Sequence, residues 1–145
     1  MPVKLIIILP CYNEESILKL SFEQLRILFD DLTYRQIVSK ESKICFVDDG
    51  SKDKTWQIIE DIQSKHSFVS GVKLARNYGH QFALLGGLSS FYNKFDIYIT
   101  IDADLQDDIA VIEEMINEHT KGINIVYGVR DDRTSDSFFK RKTAE

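Results

Sequence analysis

Two aspartates stand one residue apart directly after an apolar run of the chain. Asp102 and Asp104 flank Ala103 and follow residues 97–101. In extended backbone, residues i and i+2 share a face, so the two carboxylates are expected together, about 7 Å apart. Oxygen ligands suit Mg²⁺ or Mn²⁺, which typically takes one or two carboxylates and completes its shell with substrate phosphates and water. Gln106 offers an amide oxygen to the same ion.

These acids also have a structural interpretation. Residues 102–108 could simply end a strand and cap the next helix, since Asp is favoured in turns and at helix N-termini. We assign that role to Asp107 and Asp108. For Asp102 and Asp104 we favour a catalytic or metal-binding role, because paired acids directly after an apolar strand are typical of a functional site.

A second acidic pair, Asp48 and Asp49, follows another apolar run. Asp49 could accept hydrogen bonds from a base or a ribose. The alternative is an ordinary Asp-Gly turn, with Ser51 or Asp53 capping the following helix. The loop by itself leaves both interpretations open.

Two further loops carry polar or aromatic side chains. Tyr12 could stack on a base, while Asn13 beside it could cap a helix. Arg76 supplies a cation. His80 could contact a ligand or serve as a helix cap, and for this residue we favour the cap.

Apolar periodicity predicts the elements that carry these loops. Ile-rich or Val-rich runs predict strands at residues 4–9, 43–47, 69–74, 97–101 and 123–129. Helices are predicted between them, the first with an apolar stripe formed by Leu18, Phe22, Leu25, Phe29 and Leu32. The other helices are marked by Trp56, Ile59 and Ile62, by residues 79–92, whose apolar character predicts burial, and by residues 109–119.

Strands alternating with helices predict an α/β fold with a mainly parallel sheet flanked by helices. In such a sheet, ligands bind beyond the carboxyl ends of the strands. All of the loops described above lie at that edge, so the pattern predicts one site built from several strand ends.

Composition narrows the functional classes. The chain has 145 residues, 43% of them hydrophobic, which suits a single domain spanning residues 1–145. Its net charge of −5 argues against nucleic acid as a partner. Cys11 and Cys45 are too few for a disulfide framework, and the chain lacks the GxGxxG, P-loop and zinc-spaced motifs. With no apolar segment of membrane-spanning length, we expect this piece to be soluble.

The C-terminal segment is basic and aromatic. The aromatic and basic residues lie within 138–145, and the sequence stops directly after them without a turn. We therefore expect a truncated chain. Arg130 and Arg141 belong to a group of cations that could clamp a phosphate. A solvated tail is an equal alternative, because several aspartates dilute the group.

Three motifs in register carry a family resemblance. PCYNEE at 10–15, VDDGSKDKT at 47–55 and DAD at 102–104 resemble the family 2 glycosyltransferases, which have a GT-A fold. More narrowly, LARNYGHQ at 74–81 and YGVR at 127–130 look like the branch of dolichol-phosphate mannosyltransferases and bacterial polyprenyl-phosphate glycosyltransferases.

The resemblance implies roles for matching residues. Asp102 would touch the ribose or the metal, and Asp104 with Gln106 would hold Mg²⁺ or Mn²⁺ at the donor diphosphate. Arg130, and with it Arg141, would meet phosphate oxygens. The implied nucleotide-contacting residues are Pro10, Tyr12, Glu14, Asp49, Arg76, Asp102 and Arg130.

The resemblance also implies a reaction. The chain would be the nucleotide-sugar-binding part of an inverting hexosyltransferase that moves a sugar from a UDP- or GDP-sugar to a polyprenyl phosphate. The parent protein would lie at the cytoplasmic face of a membrane. A glycosyltransferase acting on a saccharide hydroxyl and a non-catalytic nucleotide-binding module are the alternatives.

Overall fold

The computed structural model describes residues 1–104 and 106–129, and its strands and helices alternate along the chain. The elements are β1 (Leu5–Cys11), α1 (Leu18–Tyr34), β2 (Lys43–Asp48), α2 (Thr55–Lys65), β3 (Val69–Lys73), α3 (His80–Ser90), β4 (Ile97–Thr100) and α4 (Val111–Thr120). The predicted α/β class and the four N-terminal predicted strands are confirmed.

The four strands form one parallel sheet in the order β3-β2-β1-β4. β1 lies inside the sheet, and all of its residues are buried. This burial on both faces explains why β1 is a continuous apolar run rather than an alternating one. Ile8 lies opposite Cys45 of β2 and Thr100 of β4, which brings the carboxyl ends of three strands to one edge.

Helices cover the two faces of the sheet unequally. Ile7 belongs to the larger core, which packs against α1, α2 and α4. Its neighbour Ile8 points to the other face, where a smaller core packs against α3. The apolar stripe predicted for α1 is buried along its whole length and forms much of the larger core.

The start of α1 differs from the prediction. Asn13 does not cap the helix, which begins at Leu18. The backbone of Asn13 has a φ of 53°, and its side-chain Oδ1 accepts a hydrogen bond from the Lys52 amide. The prediction was wrong because Asn favours both helix caps and left-handed turns, and a partner distant in sequence decides between them.

Helix α3 is not the buried helix that its composition predicted. Only Ala83 and Gly87 are buried, while Phe82 is 63% and Leu85 is 56% exposed. Apolar side chains surround the helix, but only one side of it meets the sheet. The mostly apolar composition therefore did not identify the face that is covered.

The predicted strand at residues 123–129 is absent from the described structure, where this segment has no ladder partner. Ile125, Tyr127 and Val129 are exposed. The prediction was wrong because an apolar pattern does not make a strand unless a neighbouring strand takes up its backbone hydrogen bonds. Among residues 1–104 and 106–129, no helix is long and apolar enough to cross a bilayer.

Candidate functional site

A cavity of about 350 Å³ opens at the carboxyl edge of the sheet. It lies where the strand-end loops of β1, β2 and β4 meet the start of α3. Its lining consists of Pro10, Cys11, Tyr12, Glu14, Asp49, Asn77, Gly79, His80, Ala83, Asp102, Ala103 and Asp104. Six residues predicted from the sequence therefore share one cavity.

The loop after β1 is fastened to the loop after β2. The Glu14 amide donates to Thr55 Oγ1 at 2.9 Å, and the Asn13 amide donates to Ser51 Oγ at 2.9 Å. The Glu15 amide donates to a carboxylate oxygen of Asp53 at 3.2 Å. These bonds hold Tyr12 and Glu14 at the mouth of the cavity, so the polar residues of the VDDGSKDKT motif act partly as a scaffold.

Asp49 lies at the base of the cavity and is only 3% exposed. Its two carboxylate oxygens accept hydrogen bonds from the amides of Tyr78 and Gly79, at 2.8 Å and 3.0 Å. Gly50, which follows, has a φ of +69°, a conformation open to glycine but strained for other residues. The loop after β2 therefore also holds the loop that precedes α3.

The paired aspartates sit on a turn that α1 supports. Both Asp102 and Asp104 line the cavity, although the backbone turns at 103–104 instead of continuing extended. The buried hydroxyl of Ser21 donates to the Ala103 carbonyl at 2.6 Å. Asp104 Oδ1 accepts a hydrogen bond from the Gln106 amide at 3.2 Å, which closes the turn.

The acids make the cavity electronegative. Burial raises the pKa of Glu14, and the negative charges of Asp104, Asp53 and Asp102 raise it further. Glu14, Asp102 and Asp104 all line the cavity, so their negative charges lie close together. A cation entering the cavity would relieve that repulsion.

His80 is a residue of the site that the sequence argument did not select. It is the first residue of α3 and lines the cavity, with Nε2 3.8 Å from Asp102 Oδ1. The helix-cap role that we favoured is wrong, because Gly79 occupies the N-cap position. Its position after a predicted strand, at the carboxyl edge of the sheet, could have identified His80 as a site residue from the sequence.

Other predicted residues lie outside this cavity. The Arg76 guanidinium stacks over the Tyr78 ring at 4.2 Å, beyond the lining. Gln106 lines a separate depression of about 880 Å³ beside α4, together with Asp108. Arg130 and Arg141 lie outside the described residues.

The donor set fits a hard divalent ion in part. Asp102 and Asp104 supply carboxylate oxygens, and Glu14 adds a third acidic side chain to the cavity lining. Over residues 1–104 and 106–129, however, no group of three or more acids, histidines or cysteines is arranged to hold a metal. These residues suit an ion such as Mg²⁺ that takes one or two carboxylates from the protein and the rest of its ligands from phosphates and water.

Comparisons of the amino-acid sequence with known proteins give matches to glycosyltransferases. The model of the family described as "Glycosyl transferase family 2" matches residues 6–145. The uncharacterized glycosyltransferase YkoT of Bacillus subtilis is 49% identical over 97% of this chain. A prophage bactoprenol glucosyl transferase homolog of Escherichia coli is 35% identical over 99% of it. The chain spans 42% and 44% of the lengths of these two relatives.

Solved structures share the fold. The mannosyltransferase PcManGT of Pyrobaculum calidifontis, in complex with GDP-Man and Mn²⁺, matches with a TM-score of 0.57 at 20% identity. That match covers 72% of this chain and 28% of PcManGT. The fragment 1-349 of S. aureus TarS in complex with UDP matches with a TM-score of 0.55 at 23% identity, over 81% of this chain and 33% of the fragment.

Proposed function

Since the chain belongs to glycosyl transferase family 2 and has a fold of the GT-A type, we propose that it forms the donor-binding part of an inverting glycosyltransferase. The observation that carries the proposal is the cavity at the carboxyl edge of the sheet, which gathers Asp102, Asp104, Asp49 and Tyr12. Because the chain spans less than half the length of these relatives, the proposal for it is limited to donor binding.

The donor in this proposal is a UDP- or GDP-sugar. Tyr12, 40% exposed at the mouth of the cavity, offers a ring on which a base can stack. Pro10 and Asp49 would form the floor beneath the nucleoside, and Glu14 lies beside them. Arg76 precedes the lining residue Asn77 and would meet the nucleotide from the edge of the cavity. The ligands named for PcManGT and TarS support a nucleotide donor.

Asp102 and Asp104 would hold Mg²⁺ or Mn²⁺ at the donor diphosphate, with Gln106 contributing from the adjoining turn. When bound, the ion supplies Lewis-acid stabilisation of the negative charge on the departing diphosphate. The protein's own contribution is to keep two carboxylates in fixed positions. Ser21 and the Asp104–Gln106 hydrogen bond do this by fixing the turn that carries them.

The acceptor in this proposal is a polyprenyl phosphate. Relatives named bactoprenol glucosyl transferase, 34% to 35% identical, support this choice. A phosphate monoester is mostly ionised near neutral pH, so its attack needs flanking cations more than a general base. We assign that task to Arg130, with Arg141 as a second cation. A lipid acceptor would place the protein at the cytoplasmic face of a membrane.

A panel of UDP- and GDP-sugars, with and without Mn²⁺, tests donor binding directly on this chain by thermal shift. A ligand present at 100 times its dissociation constant should add about 2.7 kcal/mol to the free energy of unfolding. We expect one nucleotide series to raise the melting temperature, and to raise it more with Mn²⁺. No shift with any member of the panel would overturn the proposal.

Asp104→Asn tests the metal-binding role, and Asp108→Asn is its matched control. Both changes remove one charge from the same segment, but Asp108 lies outside the cavity and its Oδ1 accepts from the Ala110 amide. We expect Asp104→Asn to lower the Mn²⁺-dependent gain in nucleotide affinity about tenfold or more, the cost of one charged contact. Titration calorimetry measures that gain, and equal gains in the two variants would exclude Asp104 as a ligand.

A further inference from the structure

Five hydrogen bonds join residues 13–15, after β1, to residues 51–55, after β2, and we call this set the clasp. Three of them run from backbone amides of the first segment to side-chain oxygens of Ser51, Asp53 and Thr55. The other two run the opposite way, from backbone amides of the second segment to side-chain oxygens of Asn13 and Glu15. Each segment therefore satisfies backbone donors of the other, and neither can move without breaking these bonds.

Asn13 is the member of the clasp that shapes the backbone beside Tyr12. Its φ of 53° lies in the left-handed region, which asparagine tolerates better than most residues. Its Oδ1 accepts the Lys52 amide at 2.8 Å, and its own amide donates to Ser51 Oγ at 2.9 Å. Tyr12 precedes Asn13 directly and lines the cavity, whereas Asn13 does not. The ring to which we assign base stacking is therefore placed by a neighbour outside the cavity lining.

The paired aspartates have a different support. Ser21 of α1 donates to the Ala103 carbonyl, and the Gln106 amide closes the turn. Among the residues that the structure describes, no hydrogen bond or ion pair joins the clasp to the turn at 102–104. Helix α1 adjoins both, but its own position is fixed by its buried apolar stripe. The two sides of the cavity are therefore supported by separate contacts, and repulsion between their acids is what connects them.

We propose that Asn13 is a positioning residue for the nucleoside alone: it fixes Tyr12 through the clasp, and the metal and diphosphate side of the cavity does not depend on it. The proposal rests on the function proposed above and refines it, because it divides the donor site into two parts with separate supports. Binding of a nucleoside diphosphate and binding of inorganic pyrophosphate, both with Mn²⁺, then differ by the nucleoside part.

Hydrogen exchange tests the clasp without any ligand. Asn13→Gly keeps a residue that adopts a φ of 53° readily but removes the side-chain oxygen, so the Lys52 amide loses its acceptor. We expect that amide to exchange about fivefold faster and the Tyr12 ring resonances to shift. Unchanged Lys52 exchange and Tyr12 resonances would overturn the proposal.

Asn93→Gly is the matched control for exchange. Asn93 also has a left-handed backbone, with a φ of 57°, but it lies outside both the cavity lining and the clasp. This variant should leave the Lys52 amide and the Tyr12 resonances as they are in the wild type. The same changes in both variants would mean that the loss of any such asparagine loosens the chain, which contradicts a specific role for Asn13.

Two calorimetric titrations in Mn²⁺ separate the parts of the site. Asn13→Gly should weaken binding of UDP or GDP, whichever the wild type binds, by about threefold or more, because the competent position of Tyr12 is less populated. The same variant should bind inorganic pyrophosphate as tightly as the wild type does. Equal losses for nucleotide and pyrophosphate, or no loss of nucleotide affinity, would overturn the proposal.

Ser21→Ala supplies the opposite pattern. It loosens the turn that carries the paired aspartates, so it should weaken nucleotide and pyrophosphate binding by the same factor. Its Lys52 amide should exchange at the wild-type rate. If Ser21→Ala instead weakened nucleotide binding alone, as Asn13→Gly should, the two sides of the cavity would share a support and the proposal would be wrong.

A double-mutant cycle with Tyr12→Ala tests whether Asn13 acts through the ring. In the Tyr12→Ala background, Asn13→Gly should cause no further loss of nucleotide affinity. Additive losses would mean that Asn13 acts on the donor by another route, which contradicts the proposal.

Asn13→Ala tests the backbone part of the role. It removes the same side-chain oxygen and also forces a left-handed backbone on a residue that disfavours it. Nucleotide affinity should fall about fivefold further than in Asn13→Gly, with a cooperative thermal transition showing that the chain still folds. A folded Asn13→Ala protein with wild-type nucleotide affinity would refute the proposal. If the wild type binds neither UDP nor GDP, the proposed function fails and this inference with it. Failure of the inference alone looks different, because the wild type then binds nucleotide and Asn13→Gly does not separate nucleotide from pyrophosphate.

Discussion

Ser21 shows how a single side chain far from the motif shapes the site. It lies on α1, is fully buried, and donates to the carbonyl of Ala103 between the two aspartates. Ser21 stands near the start of α1, directly before Phe22 of the buried apolar stripe. No feature of the sequence pointed to its partner 82 positions later.

Ser21→Ala should therefore lower the free energy of unfolding more than the replacement of a helix serine normally does. It leaves the buried Ala103 carbonyl without its donor, so we expect a loss of about 1–2 kcal/mol in the free energy of unfolding. Urea denaturation measures the loss. Ser64→Ala is the control, because Ser64 makes a similar bond to the Asp61 carbonyl at an exposed position, and its loss should be near zero. Equal losses in the two variants would argue against a supporting role for Ser21.

Residue type and spacing at the strand ends predicted well which residues line the cavity. Tyr12, Asp102 and Asp104 were found because acids and aromatics directly after apolar strands have few structural explanations. Asn13 and His80 were misjudged, since each has a common local role as a helix cap. The structure shows that neither plays it, since Asn13 bonds the Lys52 amide and Gly79 is the N-cap of α3.

Helix α3 contains two adjacent glycines, Gly86 and Gly87. They face different surroundings. A Cβ at Gly87 would lie 2.7 Å from Ile8 Cγ2 and 2.9 Å from Val47 Cγ2. A Cβ at Gly86 would meet Leu74 Cδ2 at 3.5 Å, an ordinary contact. Gly87 therefore lets the helix approach β1 and β2 closely.

Gly87→Ala and Gly86→Ala form a matched pair for this packing. Both gain the same helix propensity, so the difference between them isolates the clash. We expect Gly87→Ala to be less stable than Gly86→Ala by about 1–3 kcal/mol, the usual cost of overpacking a core. Thermal or urea unfolding gives the difference. Equal stability would mean that α3 shifts outward without cost.

Strands β1 to β4 and all four helices were predictable, because each has an apolar pattern and a polar loop at its end. The failures share a physical cause. The exposed side of α3 and the unpaired segment 123–129 depend on what lies next to them, and residues 1–104 and 106–129 contain no partner for either surface. Apolar periodicity identifies the apolar face of an element but does not show which other element covers that face.

At the scale of the whole molecule, both faces of the sheet bury a thiol. Cys11 lies in the larger core and Cys45 in the smaller one. Burial raises the pKa of Cys45 from 9.0 to about 12. Burial also raises the pKa of Cys11, and the negative charges of Glu14 and Asp48 raise it further.

These thiols should make the fold sensitive to alkaline pH. Above about pH 9 the unfolded chain loses thiol protons that the folded chain keeps. The contribution of Cys45 is therefore complete below that pH and falls as pH rises towards 12, by about 1.4 kcal/mol per pH unit. Urea denaturation of the wild type and Cys45→Ala at about pH 8 and about pH 10 measures the contribution of Cys45. The variant should lose less stability over this interval, and parallel losses would contradict the prediction.

The order of the sheet has a consequence for synthesis. The cavity takes its lining from the ends of β1, β2 and β4 and from the start of α3, and β4, which is made last of the four strands, pairs with β1. Every shorter nascent chain can build part of the sheet but lacks the turn that carries Asp102 and Asp104. One edge of β1 therefore stays unpaired until β4 is made. Pairing of β4 with β1 then brings Asp102 and Asp104 to the other residues of the cavity.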